Sequence, residues 1–323
     1  MNAYRMLWQK RADGGAKLVR LYGTSPQIRL PDQIEGHPLA EIAPYCFAKE
    51  RRFLQEETEE TITGTERQPS FFREICQTAA EEVELPDSVE KIGSCAFYNC
   101  RNLKTIQAGS SLQEIGSDAF MNAFSFHRLI LSCEPEEKSG VRQVLHQVSW
   151  DLEVLFQTNG RTAASLFYPE YYESYDEIAP AHLFGRSIQG EGFRARQCIK
   201  DGRVDFGGYD AVFLQACAGE PEEALIKIAL GRLKYPYGLC EKQREIYGGY
   251  IKAHGEGAAF FCIRRKDLGM LEFLCRERLL CGASQLFCMQ EAQKAGWTEG
   301  AAYLLQCLSK KQKERKNRYD FGG

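Results

Sequence analysis

The chain has 323 residues, with 41 Lys and Arg against 44 Asp and Glu and a formal net charge of −3. At roughly 150 residues per domain, that length predicts two domains. With 44% apolar and 11% aromatic residues, the composition excludes disordered, collagen-like and low-complexity chains. The small negative charge supplies no overall basic field for nucleic acid. No run of about 18 apolar residues is present to span a membrane.

Near the start, Arg5, Gln9, Lys10 and Arg11 interrupt every apolar stretch, so no secretory signal is expected. The 13 cysteines are odd in number and contain no CxxC pair. They read as free thiols of a reducing cytoplasm rather than a disulfide framework. Cys262 and Cys307 sit in apolar runs, where Cys serves as a small hydrophobe. The closest sets, Cys95 with Cys100, and Cys275, Cys281 and Cys288, lack zinc-finger spacing. Neither a metal nor a cofactor is expected.

In chain order, residues 4–22 alternate Tyr4, Met6 and Trp8, turn at Asp13-Gly14, and continue from Leu18 to Tyr22, which predicts a hairpin. Residues 49–80 form an insertion where Glu56, Glu57, Glu59 and Glu60 crowd together. Two readings stand for it: a solvated loop, or an acidic arm for a basic partner.

Around that insertion runs a repeat. VEKIGSCAFYNC from Val89 aligns with LQEIGSDAFMNA from Leu112, an offset of 112 − 89 = 23. Ile92 falls on Ile115, Gly93 on Gly116, Ala96 on Ala119 and Phe97 on Phe120. Leu39 to Glu50 shares the frame through Ile42 and Phe47. The strands step likewise, Val83 and Leu85 onto Ile106 and Ala108, then Leu129 and Leu131, then Leu152 and Val154. One unit cannot bury its apolar side; stacked units form ladders and one parallel sheet. Pro31 and Pro86, each in Leu-Pro-Asp, end strands because Pro cannot donate to a ladder.

LPDSVEKIGSCAFYNCRNLKTI resembles a leucine-rich repeat of the BspA type, whose pattern is close to IPxSVxxIGxxAFxxCxxLxxI. The likeness covers about residues 28–160 and is strongest over 83–131. Residues 28–47 resemble the first repeat of such arrays, with an extra loop from Gly36 to Pro38. The resemblance implies that Cys100 is a packing residue and residues 4–22 a cap.

Past Asn159 the character changes. Tyr171, Tyr172 and Tyr175 fall in an acidic stretch punctuated by Pro, and are expected to pack between domains; an exposed aromatic patch is the alternative. Residues 189–208 are Gly-rich without the flanks of a phosphate loop, and read as turns made locally basic by Arg194, Arg196 and Lys200. Further on, Leu225, Ile228, Ala229 and Arg232 share a helical face, opened by Pro221. One long helix is expected over 241–264. Asp267 and Thr298 are candidate N-caps. Three loosely similar helix–turn–helix segments, two of them 31 residues apart by Met270 on Ala301 and Leu274 on Leu305, resemble ankyrin-type pairs. The end carries six Lys and Arg between Lys310 and Arg318, read either as a frayed helix end or as a tail for anions.

The expected fold class is therefore α+β in two domains: a short leucine-rich-repeat solenoid with a parallel sheet, then an α-helical domain of helical-hairpin repeats. The boundaries are 1–165 for the repeats with cap and insertion, 166–208 for a junction, and 209–323 for the helices with the basic tail. No HExxH, GxSxG or Walker pattern is found, and the five His lie outside motif spacing, so no catalytic residue is named.

Stacked repeats offer extended surfaces, and the first reading is a scaffold that binds an unknown protein partner. Its candidate residues are the outward strand positions: Glu82 and Glu84, then Lys104, Thr105 and Gln107. The next strands add His127, Arg128 and Ile130, then Asp151 and Glu153. Ordinary solvated strand surface is the alternative reading of the same positions. Two other functions stand beside the scaffold. An enzyme or anionic-ligand protein would gather His182, Arg194, Arg196 and Cys198 in the 182–209 loop. A self-assembling structural protein would stack repeat ends between copies. Membrane and nucleic-acid partners are not expected.

Overall fold

The computed structural model describes residues 3–50, 58–63, 72–178, 183–280 and 282–319, without the side chains of 176–178, 183–184 and 310–319. Glu56, Glu57, Cys281, His182 and the side chains of the basic tail therefore lie outside the described residues. The chain divides into two compact units, Met1–Val212 and Phe213–Gly323.

The first unit is a β-solenoid of about five turns over residues 16–156. It opens with a hairpin, β1 (Tyr4–Lys10) against β2 (Ala16–Gly23), whose inward Tyr4, Met6, Trp8, Leu18 and Leu21 are buried. The first turn comprises β3 (Gln27–Arg29), β4 (Gln33–Ile34) and β5 (His37–Ile42). The insertion returns as β6 (Glu59–Thr63), antiparallel to β1, and β7 (Arg73–Glu74), antiparallel to β2. Its described part thus holds two paired strands and is not simply a solvated loop. Glu60 pairs with Arg5 at 3.0 Å, and Trp8 Nε1 donates to Thr61 Oγ1 at 3.0 Å.

Two full repeats follow, β8 (Glu82–Glu84) with β9 (Lys91–Ile92), and β10 (Thr105–Gly109) with β11 (Glu114–Ile115). Then β12 (Arg128–Ser132) leads through α1 (Val141–Gln147) to β13 (Leu152–Thr158) and the antiparallel return β14 (Arg161–Tyr168). The main sheet runs β14-β13-β12-β10-β8-β3, and a second runs β11-β9-β5-β2-β1-β6.

Ile28, Val83, Ile106, Leu129 and Val154 form one buried ladder, and Leu30, Leu85, Ala108, Leu131 and Phe156 a second. The step from β12 to β13 corrects the expected register. Leu129 pairs with Val154, not Leu152, a step of 154 − 129 = 25. The reason is α1, which replaces the Ile…Ala-Phe knuckle in that turn. On the other side, Phe47, Phe97, Phe120 and Phe126 stack with centroids 4.8, 5.8 and 5.1 Å apart. Between successive knuckles, Phe47 N–H donates to Ala96 O and Phe97 N–H to Ala119 O, each at 2.8 Å.

The turns need special backbone. A Cβ on Gly93 would fall 2.4 Å from the Pro44 nitrogen, and one on Gly116 2.3 Å from the Ser94 nitrogen. Only Gly allows that approach. The array closes where Gln147 donates to Gly116 O and accepts from Ala119 N, both at 2.9 Å.

Beyond β14 the unit holds a ribbon, β15 (Tyr172–Ile178) against β16 (Leu183–Gln189), then α2 (Gly192–Arg196) and a small hairpin, β17 (Ile199–Lys200) with β18 (Arg203–Val204). Residues 189–208 are thus more ordered than the expected run of turns. Tyr172 and Tyr175 are each 63% exposed, which corrects the expectation that they are packed away. Tyr171 does pack, edge-on to Phe193 at 5.5 Å.

Helix α3 (Phe206–Gly219) carries the boundary between the units. The second unit continues with α4 (Glu222–Lys234), α5 (Glu241–Ala253), α6 (Gly255–Arg265), α7 (Leu268–Arg276), α8 (Gly282–Lys294) and α9 (Thr298–Tyr319). The single helix expected over 241–264 is two, broken at His254, whose ψ of 39° leaves the helical region, with Gly255 following. Leu225, Ile228, Ala229 and Arg232 are all buried, on the predicted face of α4. Asp267 Oδ1 accepts from Met270 N–H at 2.8 Å, the predicted cap of α7. α6 packs on α8, and α7 on α9. Met270 and Ala301 are both buried, but Leu274 is buried while Leu305 is exposed, because no further described helix covers α9.

Candidate functional site

The outward positions of the parallel strands line up in two rows. One row is Gln27, Glu82, Thr105, Arg128 and Glu153; the other is Arg29, Glu84, Gln107, Ile130 and Leu155. They are outward because alternate residues of each strand fill the buried ladders.

Much of their charge is already paired across strands. Arg128 places Nε at 2.9 Å and a terminal nitrogen at 2.7 Å from one oxygen of Glu153. Lys104, just before β10, lies 2.7 Å from Glu81, and Arg29 lies 3.3 Å from Glu84. Gln107 donates to Ser132 Oγ at 3.1 Å. Such exposed pairs contribute about 0–1 kcal/mol each. They fix side-chain positions more than they stabilise the fold.

Glu82, Glu84, Thr105, Gln107 and Ile130 come together with Gln27, Ile28, Arg29 and Val83 around a groove of about 210 Å³. The groove thus takes in five of the ten predicted residues. Lys104, His127, Arg128, Asp151 and Glu153 do not line it. His127 Nδ1 lies 2.6 Å from Ser125 O, and Asp151 precedes β13 and accepts from Glu170 N–H at 3.0 Å. Gln27 and Arg29 were missed because β3 stands apart from the 23-residue frame. The signal was available: Leu30-Pro31-Asp32 aligns on Leu85-Pro86-Asp87 and carries Gln27 onto Glu82.

The 182–209 loop does not assemble as a ligand site among its described residues. The Arg196 guanidinium is buried and donates to the carbonyls of Val148, Trp150, Pro169 and Gly192. Arg194 points elsewhere, pairing with Glu191 at 3.0 Å. Burial, with the Asp205 carboxylate adding, raises the Cys198 thiol, the opposite of an activated nucleophile. The Gly-rich sequence has a packing cause: a Cβ on Gly192 would lie 2.0 Å from Pro169 O. Lys200 lies 2.6 Å from Asp205, whose other oxygen accepts from Gly208 N–H at the start of α3.

No group of three or more His, Cys, Asp or Glu among the described residues is placed to hold a metal ion. No described helix is long and apolar enough to cross a membrane.

The family model described as BspA type leucine rich repeat region (6 copies) matches residues 65–138. No curated protein matches. A leucine rich cell surface protein from Faecalibacterium prausnitzii A2-165 is 20% identical, with a TM-score of 0.28, over 48% of this chain and 38% of its own. The alignment thus spans well under half of that protein. A leucine rich repeat protein of T. pallidum is also 20% identical, with a TM-score of 0.23, over 39% of this chain and 68% of its own. The matched segment contains both full repeats and the stacked Phe97 and Phe120. Residues 65–138 thus match the BspA-type leucine rich repeat model, and the solenoid also takes in strands before and after them.

Proposed function

We propose that the chain is a non-enzymatic interaction scaffold that holds a protein partner against the parallel face of its solenoid. Leucine-rich repeat proteins commonly bind other proteins, and repeat stacks present extended surfaces for it. The observation that carries the reading is the groove across β3, β8, β10 and β12, with Ile130 as its half-buried apolar contact. Neutral Thr105 and Gln107 on β10 lie between the charged residues of β3 and β8 and Ile130 on β12. That pattern suits an extended segment lying across the strands.

Residues 1–165 supply the binding domain in this reading, 166–208 its junction, and 209–323 a separate domain of ankyrin-like helical pairs. The compartment is read as the cytoplasm, which the free thiols of the described cysteines support.

The test is affinity capture from the native source by wild type and by a Thr105→Arg, Ile130→Arg variant. Both substitutions fill the groove and leave the buried ladders untouched. A partner bound by wild type and lost by the variant, at unchanged melting temperature, supports the scaffold. Equal capture by the two proteins sinks this face as the binding site.

A further inference from the structure

The ribbon β15–β16 is a separate surface. Among the described strands, β15 and β16 pair only with each other. A two-stranded ribbon alone in water is marginally stable. This one is held midway along, where Arg186, opposite Tyr175, lies over the Phe193 ring at 5.3 Å and pairs with Glu173 at 2.5 Å.

No described strand pairs with the outer edge of β15. Its register with β16 is unbroken from Tyr172 to Ile178. Open edges are usually blunted by charged side chains, Pro or a bulge. YESYDEI contains no Lys or Pro, and its pairing shows no bulge. Its guard is acidic charge alone, Glu173, Asp176 and Glu177 in the sequence, which repels an acidic strand and admits a basic one; Tyr172 and Tyr175 are exposed.

We propose that the outer edge of β15 binds an extended basic segment of a partner protein by strand addition. Main-chain hydrogen bonds would supply the attachment, and the acidic side chains the selection. A segment rich in Lys or Arg complements the acidic sequence of β15, and the exposed tyrosine rings are favourable for a cation. The same charges disfavour a second copy of this chain. Antiparallel self-pairing about Tyr175 would set Glu173 opposite Glu177, and like charges directly opposite are destabilising.

The experiment uses the full-length chain and fluorescence anisotropy with three labelled heptapeptides. One alternates Lys and Val, one is its backbone N-methylated form, and one alternates Glu and Val. The Lys–Val peptide is expected to bind, with at least tenfold weaker binding by the other two. Asp176→Lys with Glu177→Lys, which spares the Glu173–Arg186 pair, is expected to weaken Lys–Val binding at least tenfold. Amide exchange at residues 172–178 should slow when that peptide is bound. Failure of the Lys–Val peptide to bind overturns the proposal. So does equal binding of the N-methylated peptide, which keeps the charge and removes the ladder. Self-association of wild type in sedimentation, lost in the variant, would mean that a second copy occupies the edge, and overturns it as well.

Discussion

Asn122 donates its side-chain amide to Asn99 Oδ1 at 2.9 Å, across one 23-residue step of the solenoid, and both residues have φ near +60°. Each Asn thus holds a left-handed turn and one rung of a polar ladder. Asn tolerates that backbone better than other residues with a side chain. Asn122→Ala loses both contributions, and we expect about 1–2 kcal/mol of destabilisation in urea unfolding. Asn122→Gly keeps the backbone and loses only the rung, so its cost should be smaller. Equal costs would show that the left-handed turn contributes nothing.

Gly116→Ala should cost more than about 2 kcal/mol, because the new Cβ meets backbone that cannot swing aside. Gly248→Ala makes the contrast. It lies inside α5, and its Cβ would meet only Leu279 Cδ2 at 3.8 Å. There the helix propensity of Ala predicts stabilisation of about 0.5–1 kcal/mol. Thermal unfolding of each variant checks both signs.

Arg196→Met should destabilise by about 3 kcal/mol or more, since buried carbonyls lose a charged donor. Arg194→Met, two residues away and exposed, should stay within about 0.5 kcal/mol of wild type. Comparable losses in both would refute a structural role specific to the buried guanidinium.

Burial pushes the thiols of Cys46 and Cys133 up to about 12, and that of Cys288 to about 11, from an ordinary 9.0. Because the folded values lie above the unfolded one, this contribution is complete below pH 9. It is lost as the pH climbs from 9 towards 12. The urea midpoint should therefore fall between pH 8 and pH 10. Cys46→Ala should make that fall shallower, and an identical fall in the variant would exclude Cys46 from it.

The solenoid was legible because the same 23-residue unit supplies its strand, its close-approach Gly and its ring stack, so each signal repeats. Ile92, Gly93 and Phe97 reappear as Ile115, Gly116 and Phe120. Legibility ended where the unit did. The step to β13 has no knuckle to fix its phase, and the register slipped by two residues. No described side chain of ribbon β15–β16 is buried, so no strict alternation marks it, and its tyrosines read as core. His254 broke a helix that periodicity carried through, because the apolar pattern resumes immediately in α6. Of the groove, the positions inside the repeat were found. Gln27 and Arg29 lay beyond the insertion and were not.

Two buried arginines, Arg20 and Arg196, stand near opposite ends of the solenoid. Arg20 donates to the carbonyls of Cys46, Ala48 and Glu50, and Arg196 to those of Val148, Trp150, Pro169 and Gly192. Neither reaches the repeats between them. A 23-residue cassette can therefore be added or removed there while both closures keep their own bonds. Each cassette changes the width of the exposed face by one strand spacing, about 4.8 Å. The length of this surface is thus adjustable in whole units, like a ruler between two fixed stops.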